Sequence, residues 1–412
     1  MKKLISLTLV LMSMMLCLVS CTPTNTSNNS DSDGLFEEFS GSVVYNNIFY
    51  YSGKADPESD DMTLTIKYHN LDNMNKYGIP LYGDVLGTED DPFKKTSSRL
   101  MIIDKKATEE NNGLPVLLII QGYSYDSVAN DLMFQIISFN TATNRATVIA
   151  DKITDVVYGT AYLKDDDIYF TRFIGKKPGE NGYDENAENG LFLYKISKHG
   201  GEMQRYDIDR TVECYPLAQY DGYIYFQKGL TQYSLYRCDK NFENVELVME
   251  NPNQLRIYNE YVFWSVKNET KNIEGNTYTS YNYYKRPIDN ILDNSKDELV
   301  LENVDSLIRY YNDEVFYCEE NDIDYKKLTP YDDTSVAYFQ KCYSLNIVTG
   351  EKSVLYDFTH AHKDRIKLYY YTNSHYIVNY TVEADNFLGY TNKKILVNRE
   401  TGKETPIDSM YD

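Results

Sequence analysis

Residues 221–248 read DGYIYFQKGLTQYSLYRCDKNFENVELV, and this stretch carries the pattern that decides the fold. A polar turn precedes the aromatic and β-branched run Tyr223–Phe226, and a second alternating run begins at Tyr233. Another polar turn leads to a third run, which ends at Val248. Short alternating runs separated by Asp, Asn and Gly are typical of antiparallel β-strands joined by tight turns.

The same pattern recurs along the chain at an average interval of about 55 residues. Copies of the first run are Asn47–Tyr50, Val116–Ile119, Asp167–Phe170, Tyr223–Phe226, Tyr261–Trp264, Glu314–Tyr317 and His375–Val378. Copies of the strand–turn–strand that follows are Phe134–Ile149, Leu191–Tyr206, Tyr233–Val248, Tyr343–Leu355 and Lys394–Ile407. A further run precedes the first one, as at Arg99–Lys106, Val212–Ala218 and Ser306–Tyr311. Each unit is therefore predicted to be four antiparallel strands, a to d.

Seven units of four strands predict an all-β fold, a β-propeller of seven blades that covers residues 35–412. Radial stacking buries both faces of each sheet, and aromatic rings fill the wide outer part of each gap. Six or eight blades stay open because the unit at 99–150 diverges, and a β-sandwich or two all-β domains is the alternative fold. The last unit ends in its own outer strand near Ile407, so the sequence leaves open whether Leu35–Phe39 closes the ring.

The composition describes a folded and strongly acidic protein. The 412 residues carry a formal charge of −21, which argues against nucleic-acid binding because that affinity depends on Lys and Arg. The hydrophobic fraction of 42% and the aromatic fraction of 14% are too high for a disordered chain. We expect a monomer without nucleic-acid partners.

Residues 1–20 have the features of a bacterial secretory signal. Lys2 and Lys3 form a charged start, and the apolar stretch Leu4–Val19 is shorter than the about 20 residues of a spanning helix. The stretch ends in Leu-Val-Ser-Cys, which looks like a lipobox, with the cysteine at Cys21. An uncleaved anchor helix or a simple secreted protein is the alternative.

Cys21 is thus the predicted lipidation site, where a diacylglyceryl group and a further acyl chain such as palmitate would be attached. Two or three acyl chains hold a protein firmly at a membrane. Residues 21–34 are rich in Ser, Thr and Asn and predict a flexible tether. We therefore expect a lipid-anchored protein of the cell envelope that faces outside the cytoplasm.

The lipobox, the polar tether and the repeated Asp/Asn-x-Ile/Val-Tyr/Phe-Tyr/Phe followed by Tyr-Ser-Leu-Tyr together resemble Tyr-rich propeller lipoproteins of bacteria. These are mostly known as domains of unknown function, and such repeats are similar to propeller units of the TolB type. The resemblance covers residues 35–412 and implies binding or sensing outside the cytoplasm. It carries over no catalytic residue.

Loops between strands b and c are predicted to share one face of the propeller, and six of the seven are long. These loops are Ser52–Thr63, Gly122–Asp131, Ile174–Asn189, Gly229–Gln232, Val266–Ser280, Glu319–Tyr338 and Thr381–Thr391. Acidic residues outnumber basic ones about three to one in them. Acids with exposed rings suit sugars, cationic ligands or peptides, and Ca²⁺. The candidate ligand-binding residues are Tyr123, Tyr125, Tyr183, Asp184, Tyr278, Tyr281, Tyr325, Tyr331 and Tyr390; the alternative is an acidic loop set that only aids solubility.

Metal binding is predicted only weakly, and no cofactor is expected. His360 and His362 offer two imidazoles for Zn²⁺ or Ni²⁺. The acidic runs near Asp56 and Glu319 lack the glycine of a Ca²⁺ loop, so Ca²⁺ is a weak candidate.

Cysteines offer two candidate disulfides outside the cytoplasm. Antiparallel alignment of strands b and c in the sixth unit places Cys318 opposite Cys342, which favours a bridge there. Cys214 and Cys238 are a weaker pair. Buried free thiols are the alternative in both cases.

The sequence has no G-x-S-x-G, P-loop or G-x-G-x-x-G motif. We therefore predict a non-enzymatic, lipid-anchored propeller that binds a sugar, a cationic ligand or an envelope protein through its acidic, aromatic b–c face. One alternative is a carbohydrate hydrolase or lyase with paired carboxylates on that face. Another is a scaffold for an envelope assembly complex.

Overall fold

The computed structural model describes residues 34–54, 64–71, 79–81, 98–124, 132–175, 189–229, 232–273, 276–304, 309–311, 313–319, 341–357, 364–371, 375–383 and 390–407. Residues 33–412 form one unit. Its strands form seven antiparallel sheets, each built on four consecutive strands. The predicted β-propeller of seven four-stranded blades is therefore confirmed.

Two short strands, β1 (Gly34–Leu35) and β2 (Glu37–Glu38), precede the blades. Blade 1 consists of β3 (Ser42–Tyr45), β4 (Ile48–Lys54), β5 (Leu64–Asn70) and β6 (Ile79–Leu81), and blade 2 of β7 (Ser98–Ile103), β8 (Val116–Ser124), β9 (Leu132–Asn140) and β10 (Arg145–Thr154). Blade 3 consists of β11 (Val156–Lys164), β12 (Asp167–Ile174), β13 (Gly190–Ser197) and β14 (Gln204–Tyr206), and blade 4 of β15 (Glu213–Tyr220), β16 (Tyr223–Gly229), β17 (Tyr233–Cys238) and β18 (Glu246–Met249). Blade 5 consists of β19 (Asn253–Tyr258), β20 (Tyr261–Ile273), β21 (Asn276–Pro287) and β22 (Glu298–Val304). Blade 6 consists of β23 (Arg309–Tyr311), β24 (Glu314–Tyr317), β25 (Lys341–Asn346) and β26 (Lys352–Asp357), and blade 7 of β27 (Asp364–Tyr371), β28 (His375–Glu383), β29 (Tyr390–Asn398) and β30 (Glu404–Ile407).

The predicted aromatic runs form the second strand of every blade. In blade 4, for example, the turn residues Asp221 and Gly222 have positive φ angles of 47° and 77°, and β16 begins directly after them at Tyr223. Positive φ suits Gly and is tolerated by Asp, which explains this turn chemistry. The local pattern thus fixes where each second strand begins.

The core lies in the gaps between neighbouring blades. Rings on strands b and c stack in pairs across the sheet, and this pairing recurs from blade to blade: Phe170 with Tyr194, Phe226 with Tyr236, Phe263 with Tyr283, and Tyr317 with Tyr343, at centroid distances of 6.0, 5.8, 5.9 and 5.6 Å. Basic side chains cover several of these rings; Lys352 Nζ lies 4.4 Å from the ring centre of Tyr343. Aromatic pairs and cation–π contacts each add stability beyond buried area, which is one role of the tyrosines in this fold.

The ring closes by side-chain packing among the described residues. Blade 7 has its own outer strand, β30, and blade 1 is complete from β3 to β6. Phe49, Tyr51 and Leu71 of blade 1 pack against Leu396 of blade 7. We call this cluster the closure seam.

Helix is scarce in the described residues. Helix α1 (Lys105–Glu110) lies between β7 and β8, and Asp104 caps it by accepting a hydrogen bond from the Ala107 amide at 3.0 Å. Two 3-10 helices, Ile288–Asn290 and Asn294–Lys296, connect β21 to β22. Across the described part of the chain, no helix is long and apolar enough to span a membrane.

A buried ion network joins blades 2 and 3 beside α1. Lys198, only 4% exposed, lies 2.9 Å from Asp104 and 3.0 Å from Asp166. Burial alone would lower the pKa of Lys198, but hydrogen bonds and attraction from the two carboxylates raise the pKa overall. The charge is therefore retained inside the interface between the blades.

One predicted loop is wrong. Strands β20 and β21 extend as a long hairpin, with Ile273 paired to Asn276, so most of the predicted loop Val266–Ser280 is strand. The run Thr-Tyr-Thr-Ser-Tyr at 277–281 favours strand over loop, and this β-propensity explains the difference.

Candidate ligand-binding site in the channel

The segment before blade 1, residues 34–40, runs along the inner strands of three blades. Strand β1 pairs with β15 of blade 4, and β2 pairs with β11 of blade 3. Ser40 then forms a bridge with Met101 on β7 of blade 2. This channel segment therefore lies inside the ring, which answers the question that the sequence left open about residues 35–39.

Two phenylalanines hold the channel segment in place. Phe36 packs between blades 3 and 4, where its ring meets Tyr169 edge-on at 5.1 Å, and its amide donates to the Leu217 carbonyl at 2.9 Å. Phe39, 1% exposed, packs between blades 2 and 3, and its amide donates to the Ala161 carbonyl at 2.9 Å. Burial of both rings fixes the backbone between them.

A cavity of about 750 Å³ lies between the channel segment and blades 3 to 5. Its size falls in the range of small-molecule sites, roughly 300–1,000 Å³. The channel segment contributes residues 35–38, and the blades contribute Tyr162, Tyr215, Leu217, Gln227, Tyr233, Gln254, Leu255, Arg256 and Ile257.

Tyr215 and Tyr233 form an aromatic corner of this cavity. Their ring centres are 5.2 Å apart and the planes are tilted by 57°. Both phenols donate to the Glu213 carboxylate behind them, Tyr233 at 3.3 Å. Burial and then the negative charge of Glu213 raise the pKa of Tyr233. Glu213 therefore favours the neutral, donating form of Tyr233.

Glu38 provides a carboxylate to the cavity from the channel segment. It is accessible to water, yet the surrounding channel wall raises its pKa. Neighbouring Glu37 pairs with Lys105 at 2.7 Å, whereas Glu38 has no ion-pair partner among the residues that the structure describes. Burial, followed by the charges of Glu38 and Glu213, raises the pKa of Tyr162. The charges of both acids thus act on the same phenol.

Gln254 is the strained residue of the site. Its φ angle is +50°, and the pairing of β19 with β20 shifts register between Asn253 and Arg256. Such bulges re-aim side chains, and they are frequent next to functional sites. The Gln254 Oε1 atom is buried and has no hydrogen-bond partner in the described part of the chain.

Most of the sequence-predicted site residues are not seen at this cavity. Tyr125, Tyr183, Asp184, Tyr325, Tyr331, His360, His362 and Cys21 lie outside the described residues. Tyr123, Tyr278 and Tyr390 lie on strands β8, β21 and β29, and their side chains are outside the described part. Tyr281 is half-buried on β21 and does not line the cavity. In the described residues, no group of three His, Cys, Asp or Glu could hold a metal ion.

Sequence reasoning missed the inner-strand tyrosines Tyr162 and Tyr215, together with Glu38. One signal was available for Tyr233, because it follows the shortest b–c connection of the seven, at 229–232. Because this b–c connection is short, it does not cover the end of blade 4 where Tyr233 lies.

The predicted disulfide between Cys318 and Cys342 is absent, since Cys342 is a buried free thiol. Pairing of β24 with β25 ends at Tyr317 and Tyr343, so Cys318 lies one residue beyond the ladder. Cys214 and Cys238 are also free, and burial raises the pKa of each thiol to about 12.

No family model matches the sequence, and no curated protein matches it. Among solved structures, the chain is similar to the β-propeller domain of the Trilobed protease from Pyrococcus furiosus, with 13% identity, a TM-score of 0.34, and coverage of 79% of this chain and 99% of that chain. It is also similar to an oligogalacturonate lyase in complex with manganese, with 9% identity, a TM-score of 0.44 and 92% coverage of both chains. An oligogalacturonate lyase from Vibrio parahaemolyticus has 11% identity and a TM-score of 0.43, with 92% and 96% coverage. These similarities carry neither a residue role nor an activity to this chain.

Proposed function

We propose that this protein is a lipid-anchored, extracytoplasmic binding protein that takes a small polar ligand into the channel cavity. The observation that supports it best is the cavity of about 750 Å³, which brings a carboxylate and three phenols together on rigid strands. Sites on strands hold their side chains more firmly than sites on loops, so recognition is preorganised. Cys21 supplies the membrane anchor.

Binding is tested by thermal melting of the full chain in detergent. Neutral sugars, acidic sugars, amines and short peptides are added one class at a time. A ligand at a hundred times its Kd stabilises the folded state by about 2.7 kcal/mol, which raises the melting temperature by several degrees. We expect one class to stabilise the protein, and chromatography of the same mixtures to show no product.

Two substitutions separate the cavity from the rest of the surface. Tyr233→Phe keeps the ring but removes the phenol that contacts Glu213, so the stabilisation by ligand should fall. Tyr223→Phe is the matched control, because Tyr223 is an exposed residue at the start of β16. Equal ligand stabilisation in both variants would refute binding in the cavity, and turnover of any compound would refute the non-enzymatic role.

The anchor is tested separately. Cys21→Ser removes the thiol that lipidation needs, so the variant should leave the membrane fraction or keep its uncleaved leader. Mass spectrometry of the N-terminal peptide of the unsubstituted protein should show a lipidated Cys21. An unmodified Cys21 in that peptide would refute the anchor.

A further inference from the structure

We propose that the ligand of the cavity is an organic cation with a primary ammonium group, held by Glu38 and by the phenols of Tyr215 and Tyr233. This inference rests on the proposed function and specifies its ligand class.

The aromatic corner offers hydrogen-bond acceptors to a ligand. Each phenol has a single O–H donor, and both donors are directed to Glu213. The phenol oxygens of Tyr215 and Tyr233 therefore offer a ligand acceptors rather than donors. Aromatic rings next to these oxygens also attract an ammonium ion, and the two ring centres are 5.2 Å apart.

Glu38 adds a negative charge to the same cavity. An ionised carboxylate only accepts hydrogen bonds, and Glu38 has no cationic side chain within ion-pair distance among the described residues. The cation on the wall, Arg256, lies over the ring of Tyr258 at 5.3 Å. A ligand ammonium supplies both the charge and the donors that Glu38 lacks.

Amines and sugars both donate hydrogen bonds, so hydrogen bonding alone does not distinguish the two ligand classes. The positive charge of the amine does. The probes are therefore 1,4-diaminobutane and 1,4-butanediol, which have the same length and differ in charge. Binding to the full chain in detergent is measured by isothermal titration calorimetry. We expect saturable binding of the diamine at one site, with affinity that falls as salt is added, and at least about tenfold weaker binding of the diol.

Variants locate the ammonium group. Glu38→Gln keeps the shape of the side chain and should weaken diamine binding about tenfold or more. Glu298→Gln is the matched control, because Glu298 lies exposed on the outer strand β22. Circular dichroism checks that both variants are folded before titration.

The outcomes separate the ligand class from the proposed function. Failure of the diamine to bind, or equal diamine affinity in both variants, overturns the ammonium inference. A neutral or acidic sugar could instead bind with an affinity that Tyr233→Phe lowers and Glu38→Gln does not. That result would also overturn the ammonium inference, while leaving the cavity as the binding site. Absence of binding by every class in the melting experiment would remove the proposed function itself.

Discussion

Acidification should weaken the closure seam through one buried histidine. His69 is 3% exposed on β5, its ring stacks on Tyr51 at 5.3 Å, and its Nε2 atom lies 3.0 Å from the Tyr51 phenol oxygen. Burial, and then the charge of Lys67, lowers the pKa of His69 from 6.5 to about 4. Since Tyr51 belongs to the seam, a proton on His69 places a charge beside the packing that joins blades 1 and 7.

The direction and size of the pH effect on the free energy of unfolding follow from the linkage between protonation and folding. The folded state favours the neutral ring, so the stabilisation is complete above the unfolded pKa of 6.5 and is lost as the pH falls through the folded value of about 4. Between pH 7.5 and 4.5, His69 alone should remove about 2–3 kcal/mol of the free energy of unfolding. That is a large part of the about 5–15 kcal/mol typical of a folded protein.

The assay is urea denaturation of the full chain in detergent at pH 7.5, 6.5, 5.5 and 4.5. His69→Phe keeps an aromatic ring and removes the titration, so its loss of stability on acidification should be smaller than that of the unsubstituted protein by about 2–3 kcal/mol. His199→Gln is the control, because His199 is 69% exposed. Equal acid dependence in His69→Phe and the unsubstituted protein would refute the reasoning.

Three further predictions concern the channel segment, the thiols and the ion network. Phe39→Ala should lower the free energy of unfolding by about 3–5 kcal/mol, since the ring is 1% exposed; a loss below 1 kcal/mol in urea denaturation would contradict that packing. Cys214 and Cys238 should react with iodoacetamide at pH 8 far more slowly in the folded than in the unfolded protein, because burial raises the pKa of each to about 12, and mass spectrometry that finds equal rates would contradict it. Lys198→Met should cost about 3–5 kcal/mol in the same denaturation assay, because it leaves Asp104 buried without its cation, and an unchanged midpoint would show that the pair is dispensable.

The fold could be predicted from the sequence because its repeat is local. Each second strand starts after a polar turn, and strand alternation then assigns one side chain to each face, as at Ile224 and Tyr225. Repetition of this pattern at about 55-residue intervals leaves few architectures other than a propeller. The sequence predicts the strand at Tyr261–Trp264 but not its continuation through 266–273 and 276–280, because polar residues interrupt the apolar alternation there.

The candidate site could not be predicted in the same way. Strands β1 and β2 have two residues each, and Glu37-Glu38 carries no apolar alternation. The buried rings Phe36 and Phe39 are three residues apart because the segment passes from one gap between blades to the next. Only the tertiary structure reveals that this segment pairs with strands more than 60 residues away, as Glu38 does with Tyr162.

The length of the b–c loops does not indicate where the cavity lies, and blade 4 shows why. The sequence predicts a binding surface on the long b–c loops, whereas the cavity lies beside the blade with the shortest b–c connection. Gly229 ends β16 there, and a Cβ atom at this position would overlap the carbonyl oxygen of Gln232. Glycine thus permits a close approach of β16 to the start of β17, which places Tyr233 beside Tyr215 and within reach of Glu213. Because a rigid strand end rather than a loop carries this phenol, the cavity wall is formed before any ligand arrives.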